Sequence, residues 1–299
     1  MLESNLFYTG FVLVLAGALS LVYPLRWLRI RTRWVALLVM ATGFLVVAIS
    51  AGMVDSYAAY LGFTLFFAGL ISVIRPLRFV YIRTRLAAFV VAGAGLLLAL
   101  GALLLPYSEK EAITHTTKLD DWMPRWQVGE RHTIRVAATP EKVFAAIHAL
   151  RADEILLFRT LIAIRRCGQT GPESIMNPSE EKSLLDVATQ TSFVLLEEEQ
   201  PQELVVGTVI AAPRNAGGSR RLTPDLFQKT LRQGVVLATM NFRVTAEDRG
   251  GSALSTETRI YANTPSALRQ FAVYWRVIHP GSDIIRRMWL RAIKRRAEG

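Results

Sequence analysis

"YTGFVLVLAGALSLVYPLRWLRIRTR", running from Tyr8 to Arg33, is answered by "YLGFTLFFAGLISVIRPLRFVYIRTR" from Tyr60 to Arg85. The two copies align without a gap. Gly10 and Gly17 fall on Gly62 and Gly69, Ser20 falls on Ser72, and further along Gly43 falls on Gly95. Each copy leads from an apolar run into a turn dense in arginine, and a second apolar run follows. The unit predicts two helices joined by a basic turn, present twice in one orientation, with repeat units at residues 6–50 and 58–102.

Four stretches carry no charged residue: Ser4–Leu25, Trp34–Val54, Ser56–Ile74 and Leu86–Ser108. Each approaches or exceeds the roughly 20 residues that a helix needs to cross hydrocarbon. Residues 1–105 are therefore expected to form four transmembrane helices. The first run reads as a span and not as a cleaved signal peptide, because no basic region precedes it. Glycines two turns apart share a helix face, where small residues let backbones approach closely in lipid. They predict a packed bundle, and the same faces offer a route to a homo-oligomer.

Charge is divided unevenly along the 299 residues. Residues 1–105 hold eight arginines, no lysine and only Glu3 and Asp55 as acids, whereas the remainder is of mixed charge. Arg26, Arg29, Arg31 and Arg33 lie in the first turn; Arg75, Arg78, Arg83 and Arg85 lie in the third. Short arginine-rich loops are retained in the cytoplasm. These residues are the expected topology anchors, placing the N-terminus and everything after Leu105 outside the cytoplasm of a bacterial inner membrane. Within residues 1–105 the basic charge is confined to such turns, which argues against nucleic acid as a partner despite a net charge of +11. The runs contain no Asp, Glu, Lys, Arg or His, which argues against a transporter or pump.

Residues 106–130 are polar, without a clear period, and read as a linker. Trp122 and Trp126 within it suit either the headgroup level or a cap on the soluble core. From Thr133 the pattern changes. "TIRVAA" alternates as a strand, and "TPEKVFAAIHAL" follows with Thr139 as N-cap, Pro140 at the first helical position and an apolar stripe behind. After a second helical run, strands dominate: "TSFVLLEEE", "ELVVGTVI", "GVVLATMNFRVTAED" and "ALSTETRIYA". The chain then turns helical from Thr264 onward, with a break or kink expected at Pro280-Gly281 and a restart capped by Ser282.

That order is the helix-grip order: strand, two helices, antiparallel strands, long C-terminal helix. From about Arg131 to Ala297 the chain resembles the START-like superfamily, also called SRPBCC, which includes the polyketide cyclase/dehydrase group. "TIRVAATPEKVFAAI" is the most specific local match, and "LSTETRIYA" with "FAVYWRVIHPGSDIIRR" is similar to the closing strand and helix. The expected fold is thus a membrane α-helical bundle at 1–105, a linker at 106–130 and an α+β helix-grip domain at 131–299. The resemblance implies a cavity between the curved sheet and the last helix.

The residues support an apolar site there independently. Val236, Ala238, Met240, Phe242 and Val244 alternate on one strand, as Leu254, Thr256, Thr258 and Ile260 do on the next. Met240, Phe242, Thr256, Thr258, Phe271, Tyr274 and Trp275 are the candidate pocket-lining residues. Glu257 pairs in direction with Arg259 and points the other way. His115, His132, His148 and His279 are scattered without metal-ligand spacing, and no nucleophile–base set assembles from local spacing. No catalytic residue, metal or cofactor is assigned. Binding of a lipid or other apolar small molecule near the bilayer leads; a cyclase or dehydratase, and a sensor or scaffold acting through protein partners, stand as alternatives. The basic end of the last helix suits either a solvated rim or anionic lipid heads.

Overall fold

The computed structural model describes residues 2–22, 32–50, 54–76, 82, 84–166, 169, 171–179, 181–211, 222–230, 235–247 and 250–299. The chain divides into two compact units, one of residues 1–105 with 273–280 and the other of residues 106–272 with 281–299.

In the first unit, α1 (Leu2–Val22), α2 (Arg33–Ser50), α3 (Val54–Ile74) and α4 (Arg85–Leu104) form two helical hairpins. The threonine of each repeated "RTR" has a local task. Thr32 Oγ1 accepts the Val35 N–H at 3.3 Å, and Thr84 Oγ1 accepts the Ala87 N–H at 3.1 Å, so the phrase starts α2 and α4 in the same way. The repeated glycines lie where the helices of a hairpin meet. A Cβ on Gly17 would stand 2.7 Å from the Ala36 carbonyl oxygen, and one on Gly69 would stand 2.5 Å from the Ala92 nitrogen. The glycine faces expected to pack the bundle are thus engaged within each hairpin.

Among the described residues, two helices are long and apolar enough to span a membrane where four were expected: Val54–Ile74 and Arg85–Leu104. The described apolar stretches of the other two, Tyr8–Leu21 and Arg33–Val47, are shorter. Of the expected anchors, Arg33, Arg75 and Arg85 are exposed; Arg26, Arg29, Arg31, Arg78 and Arg83 lie outside the described residues, as does Cys167.

The second unit is built on a five-stranded antiparallel sheet of β3 (Val128–Val136), β4 (Val194–Glu199), β5 (Glu203–Ala211), β6 (Val236–Ala246) and β7 (Ser252–Ala262), in the order β3-β7-β6-β5-β4. With the 34-residue helix α10 (Pro265–Glu298), this arrangement fits the α+β helix-grip class. Along β6, Val236 to Phe242 are all buried, because both faces of the sheet are covered. Trp289 of α10 packs on Phe242 from one side, with ring centroids 5.3 Å apart. On the other side Leu237 and Val205 join Leu119, Met123 and Phe227 in a core cluster. Burying each such side chain contributes about 1.5–3 kcal/mol.

Residues 106–130, read as a connector, supply part of this second core. They form β1 (Lys110–Glu111), α5 (Lys118–Trp122) and β2 (Arg125–Trp126), and Leu119 and Met123 are almost fully buried. Trp122 and Trp126 pack against the same cluster, so they cap the soluble core. Four helices complete the unit: α6 (Pro140–Ala149), α7 (Phe158–Arg165), α8 (Leu184–Thr191) and α9 (Pro224–Thr230).

Of the break or kink expected at Pro280, the break does not occur: α10 runs through it. Proline removes one backbone donor, but tertiary contacts override that loss. Ser282 caps nothing; its hydroxyl donates to Glu130 Oε1 at 2.9 Å.

Candidate functional site

Register decides which side chains share the face of the sheet beneath α10. Met240 pairs with Thr258 and Phe242 with Thr256 across β6 and β7, while Glu130 pairs with Thr258 and His132 with Thr256 across β3 and β7. Partners in an antiparallel pair project to the same side. The four expected lining residues on these strands thus come together, all buried, and beside them stand two titratable groups that the expected lining did not include.

α10 closes over this row with a charged face of its own. Asp283 Oδ1 lies 3.6 Å from His132 Nε2, and Glu130 Oε2 lies 4.0 Å from the same nitrogen on the other side. Arg287 Nε donates to Asp283 Oδ2 at 2.8 Å. Arg286 sits 3.4 Å from Glu130 Oε1, stacks over Trp289 at 5.4 Å and reaches Met240 Sδ. Burial pulls the Arg286 guanidinium below its ordinary pKa, and the Glu130 carboxylate opposes that pull. Two carboxylates are matched by two guanidinium groups, which leaves the site without excess charge apart from the protonation of His132.

Thr258 Oγ1 and His132 Nε2 are among the polar atoms buried here without a hydrogen-bond partner in the protein. Thr256, one pair along, is satisfied, because its hydroxyl donates to the Asn241 carbonyl at 2.8 Å. Titratable groups thus join the apolar and hydroxyl lining expected from the alternation. The face is apolar at Met240, Phe242 and Trp289 and polar at Thr258, His132, Glu130 and Asp283.

Phe271 is buried in the second unit, whereas Tyr274 and Trp275 belong to the first. There Trp275 packs against His279 with ring centroids 4.9 Å apart, and Tyr274 is partly exposed. Glu257 and Arg259 turn to the opposite face of the sheet, as alternation predicts, where Arg259 Nε bonds Glu257 at 2.6 Å. The basic residues ending α10 are engaged within the unit: Lys294 with the Arg135 carbonyl, Arg295 with the Glu154 carbonyl and Arg296 with the Glu154 carboxylate.

A separate cleft of about 530 Å³ opens toward that opposite face, at the register partners Glu203 and Arg243. Its charged lining includes Lys118, Asp121 and Glu141, and it holds none of the expected residues. Among the described residues, no cluster of His, Cys, Asp and Glu is arranged to hold a metal ion.

No protein-family model matches the chain, and no curated protein matches it. A solved structure, the Zhui aromatase/cyclase from Streptomyces sp. R1128, is similar at 16% identity. The match covers 56% of this chain and 94% of that one, with a TM-score of 0.23. The helix-grip assignment rests on strand order and α10, not on this likeness.

Proposed function

We propose that the second unit binds a small amphipathic molecule, apolar along most of its length with one neutral hydroxyl or carbonyl end. The observation that carries this reading is the face beneath α10. Met240, Phe242 and Trp289 suit an apolar body, and a buried Thr258 hydroxyl with no partner suits a polar end. A neutral end is favoured because the carboxylates and guanidinium groups there already match one another. Arg286 and Trp289 cover the face, so entry requires their displacement. Membership of the START-like superfamily is part of this proposal.

The first unit would hold this domain at a bacterial inner membrane. In the finer form, all four helices span, the arginine turns stay in the cytoplasm, and both the N-terminus and the second unit lie outside. A C-terminal alkaline phosphatase fusion should then be active and a green fluorescent fusion dark. The reverse pattern would remove the sidedness and leave ligand binding standing.

Native mass spectrometry of the full chain released from detergent tests the ligand. A co-purifying apolar adduct, or one acquired on titration with a long-chain alcohol or ketone, is expected. Spectra that stay empty through the titration would sink the reading. Because Leu119 and Met123 belong to the core, a fragment starting at 131 is the wrong reagent.

A second reading has its own observation. His132 Nε2 lies between the carboxylates of Asp283 and Glu130, an arrangement suited to general acid–base work in a cyclase- or dehydratase-type reaction. Turnover lost in His132→Gln while adduct binding persists would favour it.

A further inference from the structure

The segment 155–166, "ILLFRTLIAIRR", turns its hydrophobicity the wrong way for a soluble domain. Phe158 and Ile162 anchor α7 in the core, at 2% and 7% exposure. The opposite side of the same segment presents Leu156, Leu157 and Ile164, which are 61%, 49% and 68% exposed. Arg159 and Arg165 are exposed on that segment too, and Arg166 is half-buried with its guanidinium on the Met176 carbonyl. No acid lies within 155–166. The two acids just before it are matched, Asp153 with Arg151 at 3.5 Å and Glu154 with Arg296 at 2.8 Å.

Leu157 adds a backbone observation. Its φ of 62° makes it the one residue other than glycine with a left-handed backbone among those described. A bulky side chain at such an angle is strained, and strain of this kind persists where the surroundings fix a functional conformation. Here it aims two adjacent leucines outward in place of continuing α7 by another turn.

We propose that residues 155–166 form a bilayer-contacting surface for anionic lipid, with Leu156, Leu157 and Ile164 entering the acyl boundary and the arginines resting among the headgroups. Apolar side chains flanked by basic ones, with no acid between them, is the pattern that anionic membrane surfaces bind. The chain already carries two helices apolar enough to span, so a bilayer is the partner its own composition supplies. The surface is electrostatically linked to the site beneath α10. The Arg165 charge reaches Arg286 closely enough to help pull the latter's pKa down, after burial and against Glu130. A lipid-like ligand leaving the bilayer at α7 would arrive beside the residues that cover Met240.

The contact rests on the membrane-anchored part of the proposed function and not on ligand binding. In a Cys167→Ser background, the full chain is labelled with bimane at Leu157→Cys, Ile164→Cys or, as a control on the β4–β5 turn, Gln200→Cys. It is then reconstituted into phosphatidylcholine–phosphatidylglycerol vesicles with doxyl-labelled acyl chains. At least a roughly twofold loss of fluorescence is expected at 157 and 164 but not at 200, weakening in pure phosphatidylcholine or high salt. Quenching at 157 and 164 no greater than at 200 overturns the proposal. So does a label shielded in native membranes by a crosslinked protein, which would make the surface a protein interface. Adduct binding by the unlabelled chain in detergent is read separately, so failure of the contact and failure of the ligand are distinguishable.

Discussion

Arg276 places its Nε 2.7 Å from Asp55 Oδ2 while its two terminal nitrogens donate to the Leu103 and Leu105 carbonyls, at 2.9 and 2.7 Å. One guanidinium, 1% exposed, thus serves the first turn of α3 and the last carbonyls of α4. Carbonyls at a helix C-terminus lack intrahelical partners and carry the negative end of the dipole, so a cation there is doubly favourable. The first unit contains few charges, and this pair joins three of its segments.

Arg276→Met should therefore destabilise the first unit severely, on the order of 3–5 kcal/mol, because it takes the guanidinium from a carboxylate and the donors from two carbonyls. Asp55→Asn should cost less, since the arginine keeps both carbonyls. Thermal unfolding of the full chain in detergent, with the double variant closing the cycle, measures the coupling. Equal, small shifts for both single variants would show the pair to be an ornament of the surface.

Acid lability should trace to Asp120. Burial alone would push its carboxyl up, but the hydrogen bonds from Arg259, Thr116 and Thr117 outweigh burial and hold it at about 2, against an ordinary 3.8. A depressed folded pKa stabilises fully above the unfolded value, and the gain is lost as pH falls from about 4 toward 2. That gain is on the order of 2 kcal/mol. Asp120→Asn should be less stable at pH 7 and show a flatter stability profile between pH 4 and 2. An unchanged acid profile would assign the lability to other carboxylates.

Glycines of the repeat should divide into two kinds. A methyl group at Gly69 would meet the Ala92 backbone nitrogen at 2.5 Å, and backbone cannot step aside as a side chain can. Gly69→Ala should force α3 and α4 apart and lower the melting temperature. Nothing lies within 4 Å of a Cβ at Gly93, so Gly93→Ala should be neutral or gain up to about 1 kcal/mol from backbone entropy. Matching responses would mean that the hairpin contact is absent.

The repeat and the β6–β7 alternation were legible because both are local periods. Gly10, Gly17, Gly62 and Gly69 sit at helix contacts as their spacing predicts, and Met240, Phe242, Thr256 and Thr258 share a face. The titratable part of the site was hidden by polarity. β3 starts at Val128 and not at Thr133, and Glu130 and His132 occupy face-directed positions that an apolar pattern would have marked. Reading Glu130 as connector, and starting the strand after His132, removed both from the lining. Asp283 approaches His132 from far along the chain, a proximity that only the packing of α10 creates. The short helix α5 was missed for a related reason: its two acids mask Leu119, which fills the second core.

The two threonines of β7 supply the sharpest contrast. Thr256 donates to the Asn241 carbonyl, so Thr256→Val removes a satisfied bond and should cost about 1 kcal/mol. Thr258 is 6% exposed and its hydroxyl has no partner in the protein. Thr258→Val keeps the shape and removes a buried unsatisfied group, which should stabilise the empty protein by about 1–3 kcal/mol. If that hydroxyl is kept for a ligand, the same variant should weaken the adduct by roughly tenfold, equivalent to about 1.4 kcal/mol. Stability and binding would then move in opposite directions at one residue, a combination that ordinary core packing does not produce. Melting temperature and native mass spectrometry on the same two variants decide the matter. A Thr258→Val chain that melts as early as Thr256→Val would mean that the hydroxyl is satisfied in solution and that no ligand is needed to explain it.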